Sequence, residues 1–88
     1  MRINGIDLKG YTPIQRKILV ALGLQTPGRL TTRELVEIVH PDPDLEPDWA
    51  VSSVSSIVNK LKFRLPEDWT IVGRSWSGYR LERLGGKQ

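Results

Sequence analysis

Cysteine is absent from this chain of 88 residues, so neither a disulfide framework nor a thiolate metal site can be built, which fits a reducing compartment. Long apolar stretches are missing too. The longest, residues 18–24, is far too short to span a bilayer, and Met1-Arg2-Ile3-Asn4-Gly5 contains no apolar signal core. No membrane association is expected. There is one histidine, His40, at the edge of a proline-rich loop, and none of the six serines of the second half stands in a Gly-x-Ser-x-Gly setting, so hydrolase machinery is lacking. The acids around Asp42 do not have calcium-loop spacing, and no glycine-rich phosphate cradle occurs. The expectation is a protein that is not an enzyme, with no cofactor and no metal site.

What is present is a single small domain with a basic balance, of net charge +3 and pI near 9.6. At this length most apolar side chains are needed for the core, which argues against a buried small-molecule site. The distribution of charge says more than its sum. Residues 1–33 hold six cations against Asp7 alone, residues 34–48 hold six acids and no Lys or Arg, and residues 60–88 hold seven cations against three acids. Such blocks suit an ordinary solvated surface, or a basic face interrupted by one acidic loop.

Residues 41–47 read Pro-Asp-Pro-Asp-Leu-Glu-Pro, and three prolines in seven positions rule out a helix or a central strand there. This is an acidic connecting loop. Before it, Ile3, Ile6 and Leu8 alternate with polar residues about Asn4-Gly5, which predicts a short strand or small hairpin within residues 1–11. Thr12-Pro13 reads as a helix start, with Ile14, Ile18, Leu19 and Leu22 on the buried face and Gln15, Arg16 and Lys17 facing away, to about residue 24. Thr31 and Glu34 have capping-box spacing and open a second helix, which buries Leu35, Ile38 and Val39 and ends near His40. His40 reads as a helix-end residue. A third helix is expected within residues 48–65, capped by Asp48, with Val51, Val54, Val58, Leu61 and Leu65 at helical spacing and Pro66 as its stop.

The polar side of that third helix is unusual. Ser52, Ser53, Ser56, Asn59, Lys60 and Lys62 do little for a core, and helix propensity does not explain so many serines. Short hydroxyls allow close approach to a duplex, Asn pairs with adenine, and Lys meets guanine or phosphate. A plain solvent face has the same composition. A strand-turn-strand pattern over residues 70–82 follows, with Ile71, Tyr79 and Leu81 toward the core and Arg74, Ser75, Trp76, Ser77 and Arg80 outside. Gly78 supplies the backbone freedom of the turn. Trp76 at a basic turn either contacts a partner or folds back on the helices.

Four motifs in order, Tyr11-Thr12-Pro13, residues 26–35 (Thr-Pro-Gly-Arg-Leu-Thr-Thr-Arg-Glu-Leu), residues 54–65 with their Leu-Lys-Phe-Arg-Leu end, and residues 71–81 closing on Gly78-Tyr79-Arg80-Leu81, give the resemblance. Over residues 11 to 82 the chain resembles the OmpR/PhoB-type winged-helix effector domain of bacterial response regulators. The resemblance implies an α+β winged helix-turn-helix, three helices with a C-terminal β-hairpin wing and a short N-terminal β segment, followed by a tail at residues 83–88. It implies a small bacterial or phage transcription regulator that binds double-stranded DNA, with helix three in the major groove and the hairpin as wing. Lys60 and Ser56 then fall where the family meets bases or nearby phosphates, Lys62, Ser52 and Ser53 where it grips the backbone, and Arg74, Ser75 and Trp76 at the wing. Asp42, Asp44 and Glu46 lie where some members touch RNA polymerase, and a homodimer on DNA is a further expectation, as is a cytoplasmic, nucleoid-associated location.

The departures are equally specific. These 88 residues include no receiver domain, so the expected protein is a free-standing effector domain. Only about ten residues precede helix one where the family has a longer sheet. Lys60 stands where the family often has Arg and forgoes its bidentate fork, and serines replace bulkier contacts. A winged-helix adaptor that binds protein instead of DNA is the alternative, and Lys60, Lys62 and Arg64 favour DNA because an adaptor more often shows an apolar patch there.

Overall fold

The computed structural model describes every residue except Met1, Asn4, Pro27, Ser75 and residues 85–88, with Arg2 and Pro43 described by their backbone alone. Its elements run β1 (Arg2–Ile3), β2 (Ile6–Asp7), α1 (Pro13–Gln25), α2 (Thr32–Val39), α3 (Ala50–Lys62), β3 (Trp69–Arg74) and β4 (Gly78–Arg83), with a single 3-10 turn at Pro43–Leu45 between α2 and α3. The chain is a small α+β fold of three helices, an antiparallel hairpin and an N-terminal β segment.

Local chemistry sets the first two helix starts. The Thr12 hydroxyl accepts from the Gln15 N–H at 3.2 Å while the Gln15 side chain accepts from the Thr12 N–H at 3.0 Å. Thr31 and Glu34 repeat this reciprocal box at 3.2 and 2.8 Å. The box explains one departure from expectation. Gln15 is buried, at the centre of the stripe formed with Ile18, Leu19 and Leu22, because its side chain is drawn back to the helix start; Ile14 falls at the stripe's edge and is exposed. In α2 the buried side chains are Leu35, Val36 and Val39, whereas Ile38 points off the stripe and is partly in solvent. His40 is the C-cap residue of α2, its N–H donating to the Val36 carbonyl at 2.7 Å.

The third helix is shorter at both ends than residues 48–65. Asp48 does not cap it, because Trp49 holds the cap position without a side-chain bond. Its last turn tightens, with Phe63 N–H donating to Lys60 O at 3.1 Å and Arg64 N–H to Leu61 O at 2.9 Å, and Pro66 disfavours helical geometry at Leu65. Val51 is consequently exposed and Leu65 only half-buried, while Ala50, Val54, Val58 and Leu61 form the buried face. Tyr11 secures this helix end: its hydroxyl donates to the Arg64 carbonyl at 2.7 Å, and the Arg64 guanidinium lies 5.7 Å from the Tyr11 ring centroid.

Tyr11→Phe removes that cap, and an expected loss of about 0.5–1 kcal/mol should be seen in urea unfolding. Partial burial pushes the Tyr11 phenol above its ordinary value of 10.0, against a smaller opposing pull from Arg64. Because the folded value is the higher one, the advantage of the native chain over Tyr11→Phe should hold up to about pH 10 and shrink above it.

The hairpin pairs Trp69 with Arg83 through to Arg74 with Gly78, so it extends one residue beyond the expected span at each end. Arg83 belongs to β4 rather than to a tail, and Leu84 N–H still donates to Asp68 O at 2.7 Å. The corner between α1 and α2 is stitched to β4. Leu30 and Tyr79 exchange both backbone hydrogen bonds, at 2.9 and 2.6 Å, the Thr26 hydroxyl donates to Leu81 O at 2.9 Å, and Arg29 Nη1 donates to Gly78 O at 3.1 Å. Ile6 and Leu8 from the N-terminal segment join Ile18, Leu19, Leu22, Leu35, Val54, Val58, Leu61, Ile71, Tyr79 and Leu81 in one core. Full burial of each aliphatic side chain in that core contributes about 1.5–3 kcal/mol. The short N-terminal hairpin is therefore part of the core.

Candidate nucleic-acid interface

Because Ala50, Val54, Val58 and Leu61 fix the inward face of α3, the opposite side is determined by helical geometry. Ser52, Ser56, Asn59 and Phe63 line up there, one above another, and all four are exposed. Lys60 and the half-buried Ser53 flank this ridge on one side. Ser55 and Lys62 flank it on the other, the side toward the hairpin, where the Ser55 and Tyr79 hydroxyls lie 3.4 Å apart. The ridge is narrow and its central side chains are short.

The structure thus brings Ser52, Ser56, Asn59 and Lys60 onto one accessible surface, with Ser53 and Lys62 at its margins. Phe63, 85% exposed, stands at the end of the same ridge and was not among the residues expected to function. The helical spacing from Ser52, Ser56 and Asn59 is the signal that points to it. Trp76 projects from the hairpin tip, 81% exposed, and does not fold back on the helices. Its neighbour Ser75 lies outside the described residues.

The cations of this region divide into free and paired. Lys60, Lys62 and Arg74 enter no ion pair with any described residue, whereas Arg80 pairs with Glu82 two positions along the same strand face. Arg83 approaches Asp68 at 3.9 Å and lies 5.7 Å from the Trp69 ring centroid. Arg80 is therefore a half-buried, neutralised group rather than a contact for an anion. The usable positive charge lies on α3 and on Arg74.

The acidic loop is well ordered by its own bonds. Arg33 grips the Glu46 carboxylate with both terminal nitrogens, at 2.8 and 2.9 Å, a fork geometry that holds the guanidinium proton more tightly and raises the Arg33 pKa further. Asp42 Oδ1 accepts the Asp44 N–H at 3.0 Å, and Leu45 N–H donates to Asp42 O at 3.0 Å. Of the three acids expected to meet a polymerase, Glu46 and Asp42 thus also serve the loop itself. Among the described residues, no cluster of three or more His, Asp or Glu lies close enough to hold a metal ion, and no helix is long and apolar enough to cross a membrane.

These features stand on the chain's own geometry: no protein-family model matches it, and neither curated proteins nor solved structures yield a match.

Proposed function

We propose that this chain is a winged helix-turn-helix domain that binds double-stranded DNA in a sequence-specific manner and serves transcription regulation, with α3 in the major groove and the β3–β4 hairpin as wing. The observation that carries the reading is the outward ridge Ser52-Ser56-Asn59 on α3, flanked by Lys60 and Lys62, which enter no ion pair among the described residues. Short hydroxyls keep a helix surface slim enough for a groove about 12 Å wide, and Asn matches the adenine edge there. Lys62 suits a phosphate wall of that groove, and Lys60, on the opposite flank, stands at its border where a base edge can be met. Arg74 and Trp76 at the hairpin end supply a cation and a flat ring for the neighbouring backbone and sugars.

Phe63 favours the second reading, a winged-helix module whose ridge docks on another protein. A large exposed ring is the common anchor of such interfaces, although an aromatic side chain also packs on a thymine methyl. The two readings separate on salt. Duplex DNA labelled with a fluorophore is expected to bind with an affinity that falls steeply as salt rises, through release of counterions from the phosphates. Undetectable binding at about 50 mM salt would hand the surface to the protein-docking alternative. Lys60→Ala should weaken a preferred site more than random DNA, and Lys62→Ala should weaken both alike while lowering the salt slope by about 1. Equal losses from both substitutions would remove Lys60 from base reading.

A further inference from the structure

A groove of about 750 Å³ runs along the outer face of α1 toward α2. Its floor is apolar, from Val20, Ala21, Leu24, Leu30 and Ile38, and its rim carries Arg16 and Lys17 with no acidic side chain among the lining residues. Leu24 is 75% exposed there, although it sits in a regular helix that could have turned a polar residue outward. The proposed DNA surface on α3 does not use this face, and while Leu30 belongs to the core and Val20 and Ala21 pack against it, Leu24 and Ile38 are left in solvent.

Elsewhere the same chain carries the complementary shape. Leu45, 76% exposed, is the last residue of the 3-10 turn Pro43–Leu45. The turn is held on one side by the Asp42 carboxylate and carbonyl and on the other by the Arg33–Glu46 fork. An apolar side chain is thus displayed on a stiff loop, bordered by exposed Asp42, Asp44 and Asp48. A knob fixed before contact loses little freedom on docking.

We propose that the Leu45 loop of one copy inserts into the α1–α2 groove of a second copy, with Asp44 and its acidic neighbours meeting Arg16 and Lys17 at the rim. Apolar tip meets apolar floor, and an acidic collar meets a basic rim. Each copy has one knob and one groove on different surfaces, so the contact is heterologous, giving a row of copies where the rotation stays open and a ring where it closes. A single knob makes a small interface, weak in free solution and effective where copies are already held side by side.

Two substitutions at exposed sites test this without any DNA, so the outcome is independent of the DNA-binding reading. Leu24→Glu spoils the groove and leaves the knob; Leu45→Lys spoils the knob and leaves the groove. Backbone amide spectra of each labelled variant, whose dispersion also reports that it is folded, should be unchanged when its own concentration is raised to about 1 mM. Adding unlabelled Leu24→Glu to labelled Leu45→Lys should move the amide signals of Val20, Ala21 and Ile38, and the reverse labelling should move those of Asp44, Leu45 and Glu46. High salt should diminish both sets of shifts, and Lys17→Glu in the groove-bearing variant should abolish them. Absence of shifts in the mixed samples overturns the proposal and leaves the loop for a different partner, RNA polymerase included. Shifts confined to groove residues on both copies would overturn it as well, because the groove would then be pairing with itself.

Discussion

Gly73→Ala is expected to remove about 3 kcal/mol or more of stability, a large share of what a domain of this size possesses. Two penalties coincide at this position. Gly73 has φ +110°, a backbone conformation costly for any L side chain, and a Cβ there would collide with the Gly78 carbonyl oxygen and lie 2.7 Å from Arg29 Nη1. The first cannot be relieved without re-bending β3, and the second falls on the acceptor of the Arg29–Gly78 bond. Gly10 separates the two contributions, since it has φ +94° with nothing within 4 Å of an added Cβ. Gly10→Ala should therefore cost only the conformational part, about 1 kcal/mol. Urea unfolding of both variants beside the native chain measures the difference. Similar midpoints for the two would mean that β3 shifts freely and that the hairpin is not locked to the α1–α2 corner.

Asn59→Ala is expected to weaken the preferred DNA site by about 1–3 kcal/mol, roughly tenfold to a hundredfold, with random duplex affected far less. The argument is positional. Asn59 sits midway along the outward ridge of α3, between Ser56 and Phe63, with Ser52 one turn further on. It is the one side chain on that line that carries donor and acceptor on separate atoms, as a two-point contact with a single base edge requires. Lys60, which the resemblance to response-regulator effectors marks for base contact, is displaced to the flank by one residue of helical rotation. Competition binding with a selected site and scrambled duplex makes the measurement. An Asn59→Ala protein that loses affinity for both alike would show Asn59 gripping backbone, and the reading frame of the helix would move to Lys60.

Thr12 and Thr31 could be read as helix starts from the sequence because capping is short-range: donor, acceptor and spacing all lie within four residues. The same locality misled at Asp48, a good capping residue one position too early for a helix that begins at Ala50 under Trp49. Gln15 was misassigned because its polarity implied solvent, whereas the box with Thr12 lets it lie in the buried stripe. The role of the corner at residues 26–30 depends on partners in β4 and could not be read from its own residues. On the candidate surface, the exposure of Ser52, Ser56 and Asn59 followed from periodicity, because the buried stripe of α3 leaves only one outward line. Phe63 lies on the same line although its apolar character gives no sign of exposure, and Arg80, set outside by alternation, is half-buried and paired with Glu82, two residues on along the same strand face.

The bonds from Thr26, Arg29 and Leu30 to β4 bear on where this chain can be cut. Arg29 and Gly78 are 49 residues apart and Thr26 and Leu81 are 55 apart, with both α2 and α3 between them. A chain truncated before Gly78 would give up more than a hairpin: the amide and carbonyl of Leu30, the Thr26 hydroxyl and an Arg29 nitrogen would all lose their acceptors or donors at a site far upstream. The hairpin is thus no detachable appendage, to be trimmed or grafted onto another scaffold by itself. Its natural unit of exchange includes the corner at residues 26–30, and the helices in between are carried with it.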